Sequence, residues 1–338
     1  VPDIVVDDQR EVYLDYNATT PIRPEAARFL RRYNEGQLGY GNPSSGTREG
    51  VRAYQIVEHA RKKVASVLKA APESVVFTGG GSDANNMAMK GIAFSRLEKK
   101  GHVVVSAIAH SSILETARYL EQIGFEITYV RPGRDGVIQP DSIKKAVRPQ
   151  TILVVVMAVN NEIGTINPVI EIGSVCKEQG VPLMVDCVQA FGRIGIAPKE
   201  QNISLLTLSG HKIYAPKGVG ALYIEEGLEL VPLIHGGKQE DRRRAGTENV
   251  GSIGAMGVAA ELTWKERVTE GQRLKNIRDY CLEKLYKIEP EIVVNGSLAK
   301  RVPHNLSVGF PGIDSGSLLL ALNEIGVYVS SGSACSTG

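Results

Sequence analysis

Four stretches of this chain carry side chains suited to chemistry, and their order matters as much as their content. In VVFTGGGSDANNMAMKG an apolar run from Val75 to Thr78 meets Gly79, Gly80 and Gly81, and Ser82 and Asp83 open a segment with apolar residues at helical spacing. Glycine lets a backbone approach a ligand closely, and a helix start presents unpaired N–H groups, so a phosphate is the natural occupant. The spacing is neither a dinucleotide fingerprint nor a Walker loop. In LMVDCVQAFG, Asp186 ends an apolar strand, where a carboxylate is costly to bury without a cationic or hydrogen-bonding partner. A protonated heterocyclic nitrogen would serve, with Gln189 able to donate to an oxygen on the same ring. In LLTLSGHKIYAPKG, Lys212 follows Ser209, Gly210 and His211 after another apolar strand, and an amine in such surroundings can be a Schiff-base nucleophile. In SSGSACSTG, Cys335 stands among small polar residues, a context that exposes a thiol. The first three stretches also have plainer readings: a glycine-rich turn with a serine cap, an aspartate capping a helix, and a solvated lysine.

Taken together and in this order, the phosphate cradle, the strand-end aspartate and the later lysine match the needs of pyridoxal 5'-phosphate: an anchor, a partner for the ring nitrogen and an amine for the aldehyde. The elements that must position them are legible. Seven β-branched runs, SVVFT, HVVVSA, EITYV, TILVVVMA, PLMVDCV, SLLTLS and GALYI, alternate with amphipathic stretches or turns. Strands this continuously apolar are buried on both faces, which predicts an α/β layered domain with a mostly parallel seven-stranded sheet and its site at the strand ends. From about Glu248 a long helical segment follows, and HNLSVGF, SGSLLLALNEIG and VYVSSG then read strand, helix, strand, the start of a smaller α+β domain that looks incomplete. The expected division is an N-terminal segment 1–20 packing with the small domain, a large domain 21–255 and a small domain 256–338.

The 338 residues, 43% hydrophobic and 22% charged, carry a formal charge of +2. That balance lacks the basic face that nucleic acid or an anionic membrane requires. No apolar run nears the roughly 20 residues of a bilayer span, and VPDIVVDDQR has no basic start or apolar signal core. Cys176, Cys187, Cys281 and Cys335 form no C-x-x-C pair and no cluster with histidine, which speaks against zinc and disulfides and for a reducing compartment. Cys176 and Cys187 read as core residues. The expected location is the cytoplasm, with an organelle as the alternative.

The stretches YLDYNATTP, GNPSSGTREG, FTGGGSDANNMAMKG, AIAHSSILET, VNNEIGTINP, VDCVQAFG, SGHKIYAPKGVGALY, HGGKQEDRRRAGTENV and SSGSACSTG closely resemble the NifS/IscS-type cysteine desulfurases. These are pyridoxal-phosphate enzymes of the aspartate-aminotransferase fold (fold type I), and the resemblance covers the chain from about Val12 to its end. It implies that Lys212 holds the cofactor covalently, that Asp186 pairs with its ring nitrogen, and that His110 stacks on the ring and shuttles protons. Read alone, His110 would be a surface or capping residue. Asn161 and Gln189 would contact the ring oxygen and the bound amino acid; Gly81, Ser82, Ser209 and His211 would surround the phosphate. Thr247 would reach the phosphate of a neighbouring subunit, which implies a homodimer with shared sites. The implied reaction converts L-cysteine to alanine and passes sulfur as a persulfide on Cys335 to an iron–sulfur scaffold protein or another acceptor, such as tRNA thiolation. No resident metal is implied, beyond a transient iron–sulfur contact at Cys335.

Departures from the pattern are Thr47 after GNPSSG, Gly81-Ser82 at the phosphate turn, and Lys238 within HGGKQE. Family members also continue past the cysteine with a segment containing SIRFSLGR, whose arginine holds the substrate carboxylate. Three functions follow in order: an active desulfurase, a selenocysteine lyase or other enzyme of the same fold, and a pyridoxal-phosphate-binding scaffold without turnover.

Overall fold

The computed structural model of the chain describes residues 11–332. The elements run β1 (Val12–Tyr13), α1 (Pro24–Asn34), α2 (Arg48–Leu68), β2 (Val75–Thr78), α3 (Gly81–Phe94), β3 (His102–Ser106), α4 (Ser111–Gln122), β4 (Glu126–Val130), α5 (Pro140–Ala146), β5 (Thr151–Met157), α6 (Val169–Glu178), β6 (Leu183–Asp186), β7 (Leu205–Ser209), β8 (Gly220–Ile224), α7 (Val250–Ile288), β9 (Val293–Val294), β10 (Val308–Gly309), α8 (Ser315–Glu324) and β11 (Val327–Tyr328). The seven apolar runs become one seven-stranded sheet in the order β2-β8-β7-β6-β5-β3-β4. All of its pairings are parallel except the two made by β8, which runs antiparallel to β2 and β7.

The period of two along each strand decides which residues meet which helices. Along β5, Val154 and Val156 join the core under α2 and α7, while Leu153, Val155 and Met157 join the core under α3 and α4. Both faces of the inner strands are dry, which is why those strands read as continuous apolar runs, whereas the edge strand β4 is exposed or half-buried up to Val130. Thr47 caps α2, its hydroxyl accepting the Gly50 N–H at 3.1 Å, and the buried Ala53, Val57, Ala60 and Val64 recur at helical spacing toward α7. A Cβ at Gly257 would stand 2.7 Å from Ala60 Cα, so glycine there is a condition of the α2–α7 contact.

α7 is continuous through the expected border between residues 255 and 256. Its buried residues end at Thr263, and the chain after it contributes to two short two-stranded pairings outside the seven-stranded sheet. There β1 pairs in parallel with β11, β9 pairs antiparallel with β10, and Asp314 caps α8 by accepting the Ser317 N–H at 2.8 Å. Among the described residues no helix is long and apolar enough to cross a membrane, and none of the histidines, cysteines and carboxylates gather into a metal-binding group.

Candidate active site

β6 and β7 lie side by side in the sheet, and their alternation aims Asp186, Thr207 and Ser209 to the side of α3 and α4. Asp186 is 1% exposed. Its Oδ1 accepts the Val188 N–H at 2.9 Å and its Oδ2 accepts Asn85 Nδ2 at 3.2 Å. Burial raises its pKa, against the pull of those two donors and of the His110 and Lys212 charges. An acid kept so dry is explained by a cation that arrives with a ligand.

Lys212 closes the single 3-10 turn Gly210–Lys212 that follows β7. Its amine donates to the carbonyls of Asn17 and of Ala18, the latter at 2.7 Å. Arg193 Nη2 donates to the Lys212 carbonyl at 2.8 Å, and Thr20 Oγ1 donates to that of His211 at 2.9 Å, so the turn is held from both sides. Gln189 Nε2 also donates to the Asn17 carbonyl at 3.0 Å, and Asn17 Nδ2 donates to that of Asn161 at 3.2 Å.

His110 is both a cavity residue and the N-cap of α4. The Ser112 N–H reaches its Nδ1 at 3.1 Å, and because a backbone N–H can only donate, the neutral ring carries its proton on Nε2. Burial lowers the His110 pKa, Asp186 opposes that, and Lys212 adds to it. The neutral form is favoured.

The phosphate turn differs from its sequence reading in one detail. Gly80, at φ 149, is the N-cap of α3 with no side-chain cap, and Ser82 stands one residue inside the helix. A Cβ at Gly81 would lie 2.9 Å from Val188 Cγ2, so its absence keeps the helix start open beside Ser82, Ser209 and His211. His211 Nδ1 meets Thr19 Oγ1 at 3.1 Å. Its pKa is pushed down from 6.5 to about 4, by burial first and then by Lys212, Lys217 and His110. The sign follows: between those values the unfolded chain takes up a proton that the folded chain resists. Cofactor-free protein therefore loses stability as pH falls from 6.5 towards 4, and His211→Gln flattens that part of the profile, as urea midpoints measured across the range would show.

Gly81, Ser82, His110, Asn161, Asp186, Gln189, Ser209, His211 and Lys212, nine residues singled out from the sequence, line one cavity of about 2030 Å³. Thr247 is exposed and does not line it, and Cys335 lies outside the described residues. The sequence reading missed Asn85 and Asn17. Asn85 is 1% exposed; its Nδ2 donates to Ser112 Oγ at 2.9 Å as well as to Asp186, and its Oδ1 accepts Thr207 Oγ1 at 2.7 Å. It ties the carboxylate to the histidine. A polar pair, Asn85-Asn86, within an otherwise apolar helical stretch was the available signal.

Residues 12–337 match the family model described as Aminotransferase class-V, and Cysteine desulfurase IscS of Dictyoglomus turgidum is 44% identical over 329 residues, 97% of this chain and 83% of that protein. The chain belongs to the class-V aminotransferases, among the cysteine desulfurases. A solved NifS-like protein shares this class-V fold at a TM-score of 0.92 and 33% identity, over 95% of this chain and 87% of its own. A structure titled SspA in complex with cysteine aligns at 0.82 and 35%, over 96% and 90%.

As a member of this family the protein is a pyridoxal-phosphate enzyme, and its cavity fits that cofactor. Asp186 accepts two hydrogen bonds and retains acceptor capacity for a protonated ring nitrogen. Lys212 places an amine in the same cavity, and the open start of α3 offers N–H groups to a phosphate. The cleft extends beyond these residues to Asn305 and Ser330, and its volume exceeds the usual range of about 300–1,000 Å³ for a ligand pocket.

Proposed function

We propose that this protein releases alanine from L-cysteine and transfers the substrate sulfur to Cys335 as a persulfide. The observation that carries the reading is the convergence of Lys212, Asp186 and His110 on one cavity, with Asn85 and Ser112 joining the latter two.

Pyridoxal phosphate, when bound, supplies an electron sink for charge developing at the α-carbon of an amino acid. Asp186 would hold the proton on the ring nitrogen, and its burial would strengthen that ion pair. Lys212 would hold the aldehyde and move the α-proton, and its turn is fixed by Arg193 and Thr20, which keeps the amine in one place. His110, with its proton on Nε2, donates at the cavity side while α4 holds its other nitrogen. Asn161 and Gln189 orient the substrate and the ring oxygen; Gly81, Ser82, Ser209 and His211 bind the phosphate. The Cys335 thiolate attacks the substrate sulfur: an S–S bond forms, the C–S bond breaks, and its electron pair remains on carbon, which takes a proton and leaves as alanine. The balance is L-cysteine plus a protein thiol giving alanine plus a protein persulfide.

Thr247, exposed and outside its own cavity, serves the phosphate of a second copy, so the working unit is a homodimer. An iron–sulfur scaffold protein or another sulfur acceptor takes the sulfur. The cytoplasm suits this chemistry, which needs a reduced thiol; among the described residues Cys176, Cys187 and Cys281 are free.

The test is the mass of the Cys335 peptide after L-cysteine is added without a thiol reductant. The expected result is a gain of one sulfur atom, removed by dithiothreitol. An unchanged peptide from protein that has released alanine would contradict the persulfide route.

A further inference from the structure

At the open edge of the sheet, α2 and the segment after β8 meet in a buried ion pair. Arg61 is 9% exposed and Glu240 8%. Arg61 Nη1 donates to Glu240 Oε2 at 2.6 Å and Nη2 donates to Oε1 at 3.0 Å, a two-pronged contact. The same groups satisfy the edge strand: Glu240 Oε2 accepts the Phe77 N–H at 2.9 Å, and Arg61 Nη1 donates to the Val75 carbonyl at 2.6 Å. Among the described residues β2 pairs only with β8, so these are backbone groups that an edge strand would otherwise leave open.

The pair sits at the start of an unusual backbone. Glu240, Asp241 and Arg242 have φ of 48, 53 and 64, three consecutive left-handed residues without a glycine. L residues avoid such runs because Cβ crowds the following carbonyl, and the strain persists only where the surroundings over-determine it. Restraint comes from both sides here. Arg61 holds Glu240, Arg243 Nη2 donates to the Glu73 carbonyl at 2.9 Å, and Gln239 Oε1 accepts the Gly246 N–H at 3.2 Å. The segment leaves the sheet edge in one fixed direction, and Thr247 emerges exposed, away from its own cavity.

We infer that Arg61 and Glu240 are positioning residues for Thr247, holding segment 240–247 in the shape in which it meets the cofactor phosphate of a second copy of the chain. This rests on the shared-site reading of Thr247 above. A charged side chain closes a sheet edge without any left-handed run. The strained turn is explained by a segment that must arrive at a set point in another subunit.

The test separates the phosphate from the rest of the cofactor. Cofactor-free wild type, Glu240→Gln and Thr247→Ala are titrated with pyridoxal phosphate and with pyridoxal, which lacks the phosphate. Both variants are expected to lose about tenfold in preference for the phosphorylated form, with pyridoxal affinity unchanged. Arg61→Lys, which keeps the charge but not the fork, shows a smaller loss in the same direction and serves if Glu240→Gln does not fold. Each variant is then co-expressed with Lys212→Ala to give mixed dimers. The site that holds Lys212 now receives segment 240–247 from an intact chain, and turnover at that site returns. If Glu240→Gln keeps the wild-type preference, or if Thr247→Ala is rescued and Glu240→Gln is not, the inference is overturned while the shared site stands. If Thr247→Ala is not rescued, the shared site falls and the inference with it.

Discussion

Lys212→Ala is expected to lower alanine formation by about 10⁴-fold or more, because one amine both binds the aldehyde and moves the α-proton. The protein remains folded. Lys212 is a cavity residue whose amine bonds to the carbonyls of Asn17 and Ala18, and the first of these keeps Gln189 Nε2 as a donor when the lysine is removed. Lys212→Arg sharpens the result. It retains a cation for both carbonyls but cannot substitute for the primary amine, so it restores any lost stability and none of the turnover. Initial rates of alanine release beside urea midpoints separate the two effects. Activity within tenfold of wild type in either variant would remove Lys212 from the chemistry.

Asp186→Asn is expected to cost about 10²–10³-fold in kcat, the scale of losing one preorganised charge aimed at developing charge. Its stability signature is independent of turnover. Burial raises the Asp186 pKa above its ordinary 3.8 in the cofactor-free protein, so just above that value the folded chain holds a proton that the unfolded chain has released. Stability contributed by that proton is complete below 3.8 and is lost as pH rises through the raised pKa. The amide cannot titrate. The difference between wild-type and Asp186→Asn urea midpoints, followed upward from acid pH without cofactor, should therefore drift against the wild type. Added pyridoxal phosphate reverses the drift in the wild type alone, since its ring nitrogen supplies the cation that the buried carboxylate lacks. A difference that is flat with pH would mean that Asp186 is not a strained acid.

Much of this was legible before any coordinates, for reasons that differ by residue. The inner strands were plain because burial on both faces makes their sequences continuously apolar, and the three motifs stood out because each places polar chemistry directly after such a run. The antiparallel direction of β8 was not evident in GALYI, which reads like its neighbours. It follows from the connection: the span from Ser209 to Gly220 has no crossover helix to carry the chain back for a parallel return. Asn17 and Asn85 escaped notice because their meaning lies in partners far away in sequence, Lys212 at 195 residues from Asn17 and Asp186 at 101 from Asn85. The Arg61–Glu240 pair joins residues 179 apart, and its left-handed turn has no glycine to advertise it. His110 shows the opposite case. The plain reading as a capping residue holds, and capping α4 is what fixes the proton on Nε2, the atom on which the proposed role as proton carrier depends.

The most direct measurement is alanine release from L-cysteine by the pyridoxal-phosphate-loaded protein, with a thiol reductant present and Cys335→Ala beside it. The predicted result is many equivalents of alanine from the wild type and a loss of at least about 10²-fold in the variant, the scale of removing an activated nucleophile. No alanine from a folded, loaded wild type, or equal release by both proteins, would contradict the assignment of a desulfurase working through Cys335.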